Sequence, residues 1–193
     1  MTVRLELDRL VADGLAARRP GGGTFVVEPR RTRLLSSSFS RNMRARGLTP
    51  GAKVLDRRVH AADESLAAEL EEPSGTPVLL LVRLRTADSR PVAIERTHVS
   101  LSRYPGLEDL DFGTLSLYDE LAARWGVTPG LVCASIAAAP VGPAEAELLG
   151  TGPGTPCLTI TSESRSAAGQ VIESSRSLYR TDRYDLTIAF RAN

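Results

Sequence analysis

The chain has 193 residues, 42% of them hydrophobic and 24% charged, with a formal net charge of +1. This is a globular composition, long enough for one large domain or one domain plus a fragment. No apolar run is long enough to span a bilayer and no charged-then-apolar start marks a signal peptide, so a cytoplasmic protein without a membrane partner is expected.

Cys133 and Cys157 both fall in strand-like apolar runs and are expected to be buried free thiols. His60 and His98 lie far apart in sequence without metal-ligand spacing, so neither a metal nor another cofactor is expected. The charge is uneven. Residues 1–46 hold ten arginines against four acids, a balance of +6, whereas residues 47–193 hold 14 basic and 19 acidic side chains, a balance of −5. Only the front of the chain is suited to meet a polyanion.

From Thr2 to Gly14, Val3, Leu7, Leu10 and Val11 recur at helical spacing and Gly14 supplies the stop. A short hairpin follows, Leu15–Arg19 and Thr24–Val27, closed by Pro20-Gly21-Gly22-Gly23. Leu7-Asp-Arg-Leu-Val-Ala-Asp-Gly-Leu15 and Arg18-Arg-Pro-Gly-Gly-Gly-Thr-Phe-Val26 resemble the end of a GntR-family winged helix-turn-helix, recognition helix then wing. The resemblance implies that the helix enters the major groove and the wing tip the minor groove. By position, Thr2 and Arg4 would touch phosphate or base edges, and Pro20, Gly21 and Gly22 would form the tip. The competing reading of Arg4 is a solvated helix residue. The family's first two helices would precede Met1, so residues 1–28 are expected as a partial winged helix that binds operator DNA weakly or not at all. Residues 29–37, polar and unpatterned, read as a linker to a domain at 38–193.

That domain repeats itself. Leu48-Thr-Pro-Gly51 returns as Val127-Thr-Pro-Gly130, and Gly75-Thr-Pro77 as Gly154-Thr-Pro156, both at an offset of 79. Each unit reads helix, strand, helix, strand, strand: Ser40–Arg46, Lys53–Ala61, Asp63–Glu71 and the hairpin Val78–Leu101, then Ser116–Trp125, Val132–Ala139, Pro143–Leu149 and the hairpin Cys157–Tyr179. An α+β fold is expected, with six mostly antiparallel strands, helices covering one face and the two hairpins side by side about a pseudo-twofold axis. One residue is missing from the second turn, so Glu95 corresponds to Glu173 and both should border one crevice.

In the first hairpin, strand alternation puts Arg83 and Arg85 on one face and Val82 and Leu84 on the other, and a turn at Ala87–Arg90 sets Arg83 opposite Glu95. By itself this is an exposed cross-strand ion pair worth under ~1 kcal/mol. The second unit has Ser162 and Ser164 where the first has the arginines, which points to a single anion-binding end.

Seven motifs then carry a second resemblance: Ser38-Phe-Ser-Arg-Asn-Met43, Gly75-Thr-Pro-Val78, Arg83-Leu-Arg85, Pro91-Val-Ala-Ile-Glu95, Ser116-Leu-Tyr118, Ala146-Glu-Leu-Leu149 and Ser177-Leu-Tyr-Arg-Thr-Asp-Arg-Tyr184. In order and coverage they resemble the UTRA effector domain of the HutC subfamily of GntR regulators. The resemblance implies a chorismate lyase-like six-stranded sheet, a homodimer and a small effector that changes the grip on operator DNA. It also implies that Arg83 and Arg85 hold the anion, helped by Ser38 and Ser40 and by the amides of the first helix, with Ser116 a further candidate. Glu95, Tyr118, Glu173 and Tyr179 match positions that bind sugar hydroxyls or an amine. Competing readings put Tyr118 in the core, pair Glu173 with Arg165 or Arg176, and make Arg180-Thr-Asp-Arg183 a structural corner; Phe39 and Trp125 are assigned to the core. The leading function is a ligand-sensing transcriptional repressor responding to a sugar phosphate, phosphonate or carboxylate. A chorismate lyase-like enzyme and a stand-alone sensor remain as alternatives.

Overall fold

The computed structural model describes residues 16–19, 22–26 and 38–186. The chain forms two units, the larger being Leu34–Tyr184. Of the smaller unit the structure describes an antiparallel hairpin, β1 (Ala16–Arg19) and β2 (Gly23–Val26), with Gly22 exposed in the turn. The expected helix at 2–14 with Thr2 and Arg4, the tip residues Pro20 and Gly21, and the linker at 29–37 lie outside the described residues. Among the described residues no helix is long and apolar enough to cross a membrane.

The larger unit runs α1 (Phe39–Ala45), β3 (Pro50–Ala61), α2 (Glu64–Leu70), β4 (Pro77–Ala87), β5 (Arg90–Ser100), a 3-10 turn (Leu107–Asp109), α3 (Leu117–Trp125), β6 (Pro129–Pro140), α4 (Pro143–Leu149), β7 (Pro156–Ser166) and β8 (Val171–Arg180). The duplicated helix–strand–helix–strand–strand pattern is present, with the 3-10 turn added between the halves. Local chemistry sets the boundaries. The Ser38 hydroxyl accepts from the Arg41 amide at the start of α1, and Asp63 Oδ1 accepts from the Leu66 amide at the start of α2. Asp88 and Ser89, both at positive φ, make the tight turn between β4 and β5.

Six strands form one antiparallel sheet in the order β3-β4-β5-β8-β7-β6, which maps onto itself when the two repeats exchange. The hairpins meet where β5 pairs with β8. Thr97 lies opposite Ser175 there, and 175 − 97 = 78, the same offset that relates Glu173 to Glu95, so the pseudo-twofold axis passes between that pair. Glu95 and Glu173 stand two residues before it on either side.

Helices cover both faces of the sheet, rather than the one expected. The run from Val78 to Leu84 is apolar at positions of either parity, and a strand buried on both sides needs a layer on both sides. Leu79 and Leu81 pack beneath α3 and the 3-10 turn with Leu107, Phe112 and Leu121, whereas Leu80, Val82 and Leu84 join Ala146 and Leu149 of α4. Val78 packs with Ala67 and Leu70 of α2.

The repeated Thr-Pro-Gly has a steric cause. A Cβ on Gly130 would stand 2.8 Å from the backbone of Ala167 in the β7–β8 turn, and one on Gly51 would meet the Thr86 hydroxyl beside the β4–β5 turn. Each glycine lets an edge strand close against the neighbouring hairpin. The two differ in what must give, since a hydroxyl rotates and a backbone does not. Gly130→Ala is therefore expected to cost about 1–3 kcal/mol in urea denaturation, and Gly51→Ala to remain within about 1 kcal/mol of wild type.

Candidate functional site

Strand alternation delivers Arg83 and Arg85 to the face beneath α1 and α3, where each is only 3% exposed. A buried cation needs compensation. Arg83 Nη2 donates to Glu95 Oε2 at 2.6 Å, across the strand as expected, and Arg85 Nη1 lies 3.7 Å from the same oxygen. Arg85 Nη2 donates to Ser40 Oγ at 3.0 Å, and its guanidinium stands over the Phe39 ring, 4.5 Å from the centroid. Arg83 stands 5.9 Å from the Phe112 centroid. Burial, only partly offset by Glu95, draws the Arg85 pKa down to about 10. Burial pushes the Glu95 carboxyl upward, but Arg83 and Arg85 together overrule it and hold it below the usual carboxylate range. Compensation is incomplete: Arg83 Nε and Nη1 and Arg85 Nε are buried without a hydrogen-bond partner.

Across the axis the repeat builds something different. Glu173 lies opposite Ser164, the residue that repeats Arg85 at the offset of 79, and among the described residues no cation is paired with it. Instead, the Tyr118 hydroxyl and Ser164 Oγ donate to Glu173 Oε1 at 2.7 and 2.8 Å and lie 2.7 Å from each other. Burial, the dominant influence, raises the Glu173 pKa to about 7 despite those bonds. Oε2 of Glu173 is buried without a partner.

All nine residues singled out as effector contacts, Ser38, Ser40, Arg83, Arg85, Glu95, Ser116, Tyr118, Glu173 and Tyr179, line one cleft of about 720 Å³, its open mouth included. The strand register lays out its floor in rows. One row runs Arg83, Glu95, Ser177, Ile160, the next Thr97, Ser175, Ser162, Ala134. Thr97, Ser162, Ser175 and Ser177 were not singled out from sequence, although serines at alternate positions of β7 and β8 carry the signal. Tyr184 also lines the cleft, with its ring centroid 4.2 Å from that of Tyr179. Burial raises the Tyr179 phenol well above its ordinary pKa.

Tyr118 does belong to the buried core with Leu117 and Leu121, while its hydroxyl reaches Glu173. Glu173 pairs with neither Arg165, which bonds Glu71, nor Arg176. Arg180 binds Asp182 at 2.6 Å and the carbonyls of Leu149 and Gly150, a structural corner. Phe39 is buried yet faces the cleft, and Trp125, half-buried, packs edge-on against Tyr104. Cys157 is buried, but Cys133 is exposed, because β6 is an edge strand with little packed over it. His60 and His98 meet edge-to-face with centroids 5.8 Å apart, a neighbourhood their sequence spacing did not show.

A mirrored antiparallel six-stranded sheet with helices on both faces and a cation-lined cleft is the fold of the effector domains of GntR-family regulators. The chain belongs to the UTRA domain family, which it matches over residues 45–185, and is a transcriptional regulator of the GntR type, HutC subfamily, rather than an enzyme. It is 32% identical over 186 residues to the HTH-type transcriptional repressor NagR of Bacillus subtilis, covering 95% of this chain and 76% of the relative. It is 36% identical over 192 residues to the HTH-type transcriptional repressor PhnF of Mycolicibacterium smegmatis, covering 99% and 78%. The crystal structure of PhnF from Mycobacterium smegmatis matches with a TM-score of 0.81 at 35% identity, over 99% of this chain and 84% of that one.

A carboxyl whose folded pKa lies above its unfolded value stabilises the fold below the unfolded pKa and loses that contribution as pH rises through the folded one. For Glu173 the window runs from the ordinary 4.5 to about 7. Wild type is expected to lose up to about 3 kcal/mol across it from this group. Glu173→Gln should flatten that fall in urea denaturation carried out at a series of pH values.

Proposed function

We propose that the cleft senses a small anionic metabolite, a sugar phosphate, phosphonate or carboxylate, and that in a regulator carrying an intact winged helix its occupancy changes the hold on operator DNA. The carrying observation is the buried, under-compensated Arg83–Arg85 pair. Two guanidiniums less one carboxylate leave a formal charge of +1 while Glu173 holds its proton, and three guanidinium nitrogens lack an acceptor. Such groups favour a charged oxyanion, which accepts from several donors at once. Ser40, already bonded to Arg85, sits beside that end, and Ser38 lines it. Tyr179, Tyr118 and Glu173, with the floor of serines and Thr97, offer hydroxyls and a carboxyl to the polar remainder of the ligand.

The relatives NagR and PhnF are named as repressors, which supports repression as the output. In this reading Thr2, Arg4, Pro20, Gly21 and Gly22 make the operator contacts, and the effector works by binding one arrangement of the regulator more tightly than another.

The test is thermal melting of wild type, Arg83→Ala and Arg85→Lys with glucose 6-phosphate, methylphosphonate, acetate and inorganic phosphate. At least one of these anions should raise the wild-type Tm. Each substitution should weaken that anion roughly tenfold to a hundredfold, Arg85→Lys because an ammonium cannot reproduce the guanidinium fork. Equal stabilisation of wild type and both variants would remove the proposed pocket.

A further inference from the structure

The face of the sheet turned away from the cleft carries a second cationic feature. Arg96 and Arg176 alternate along their strands with Glu95, Thr97, Ser175 and Ser177, which line the cleft, so both arginines stand on the opposite face. They are direct cross-strand partners on β5 and β8, the two central strands. Like charges set opposite each other in a sheet repel and cost stability. Arg96 has a partial remedy in Glu145 of α4, whose Oε1 lies 3.4 Å from its Nη2. Arg176 has none. It is exposed, and among the described residues it makes no hydrogen bond or ion pair. Glu163, the one acid on β7, is bonded to Arg165.

The strand register continues the row outward. Arg176 lies opposite Thr161 on β7, and Thr161 opposite Ser135 on β6, both exposed. In the first repeat the equivalent places, at the offset of 79, hold Val82, buried against α4, and Asp56. One half of the row is thus covered by a helix and ends in an acid, while the other is open and presents only guanidiniums and hydroxyls.

We propose that Arg96, Arg176, Thr161 and Ser135 form a shelf that binds phosphate groups, separate from the effector cleft on the other side of the sheet. Arginine and hydroxyl side chains are well suited to hold phosphate oxygens. A tetrahedral oxyanion has enough oxygens to accept from both guanidiniums and from Thr161 together, whereas a carboxylate has two. An anion seated there also replaces the repulsion between the arginines with a shared attraction. Strands about 4.8 Å apart spread the four residues over roughly 14 Å. That is too long for one phosphate, so the shelf fits two phosphoryl groups in succession, from a small diphosphate or from a nucleic-acid backbone.

Nitrogen–proton correlation NMR of the full chain, titrated with pyrophosphate at low ionic strength, tests the shelf. The amides of Ser135, Thr161 and Arg176 should shift together and saturate, while Ser38, Ser40 and Tyr118 report the cleft in the same spectra. Arg176→Gln should weaken the shelf response about fivefold or more and leave the cleft amides as in wild type. Having lost a like-charged neighbour, the variant should also melt no lower than wild type without anion. A short duplex of arbitrary sequence distinguishes the sources. If it moves the same three amides, and salt suppresses the effect, the phosphates are those of a nucleic-acid backbone; if pyrophosphate alone moves them, they belong to a small diphosphate, and either result keeps the shelf. No saturable shift at these amides, a response unchanged by Arg176→Gln, or a variant that melts below wild type would overturn it.

Discussion

Two guanidiniums buried on the inner face of β4, sharing one carboxylate, are the constraint around which this domain is arranged. Moving a cation out of water is expensive, and a single acid cannot satisfy two. The structure surrounds the pair with Ser40, the Phe39 and Phe112 rings and Glu95, and still leaves three guanidinium nitrogens without acceptors. A fold that only needed to be stable would replace such a pair with well-packed apolar side chains at little cost. Retaining it is consistent with a site whose compensation is completed by something that comes and goes.

The duplication shows how neighbours decide protonation. Glu95 and Glu173 occupy equivalent places about the pseudo-twofold axis and bear the same carboxyl. Beside Arg83 and Arg85 the first stays ionised; beside Ser164 and Tyr118 the second keeps its proton to about neutrality. With two guanidiniums beside it one acid serves as a counter-ion, and with burial and hydroxyls around it the other is a hydrogen-bonding group that titrates about neutrality.

Much of this was legible in the residues. The repeated Thr-Pro-Gly and Gly-Thr-Pro motifs reported the duplication because they mark backbone close approach and turns, which few other sequences satisfy. Period-two alternation placed Arg83 opposite Glu95. The nine polar residues gathered in the cleft followed from the family motifs. The helices on both faces were missed because the apolar run in β4 was read as one side of a hairpin and not as a strand covered twice. Cys133 was misplaced because an apolar edge strand and an apolar core strand look alike along the sequence. The serine-rich floor escaped notice since serine is common in loops, and only the pairing register shows four hydroxyl-bearing residues side by side.

The single dissociable proton on Glu173 gives the cleft a second input. In a slightly alkaline interior the carboxyl ionises, and two guanidiniums then face two carboxylates, so the formal charge falls from +1 to 2 − 2 = 0. Acidity near neutrality thus sets the charge of the cleft through this one carboxyl, with no strand or helix having to move.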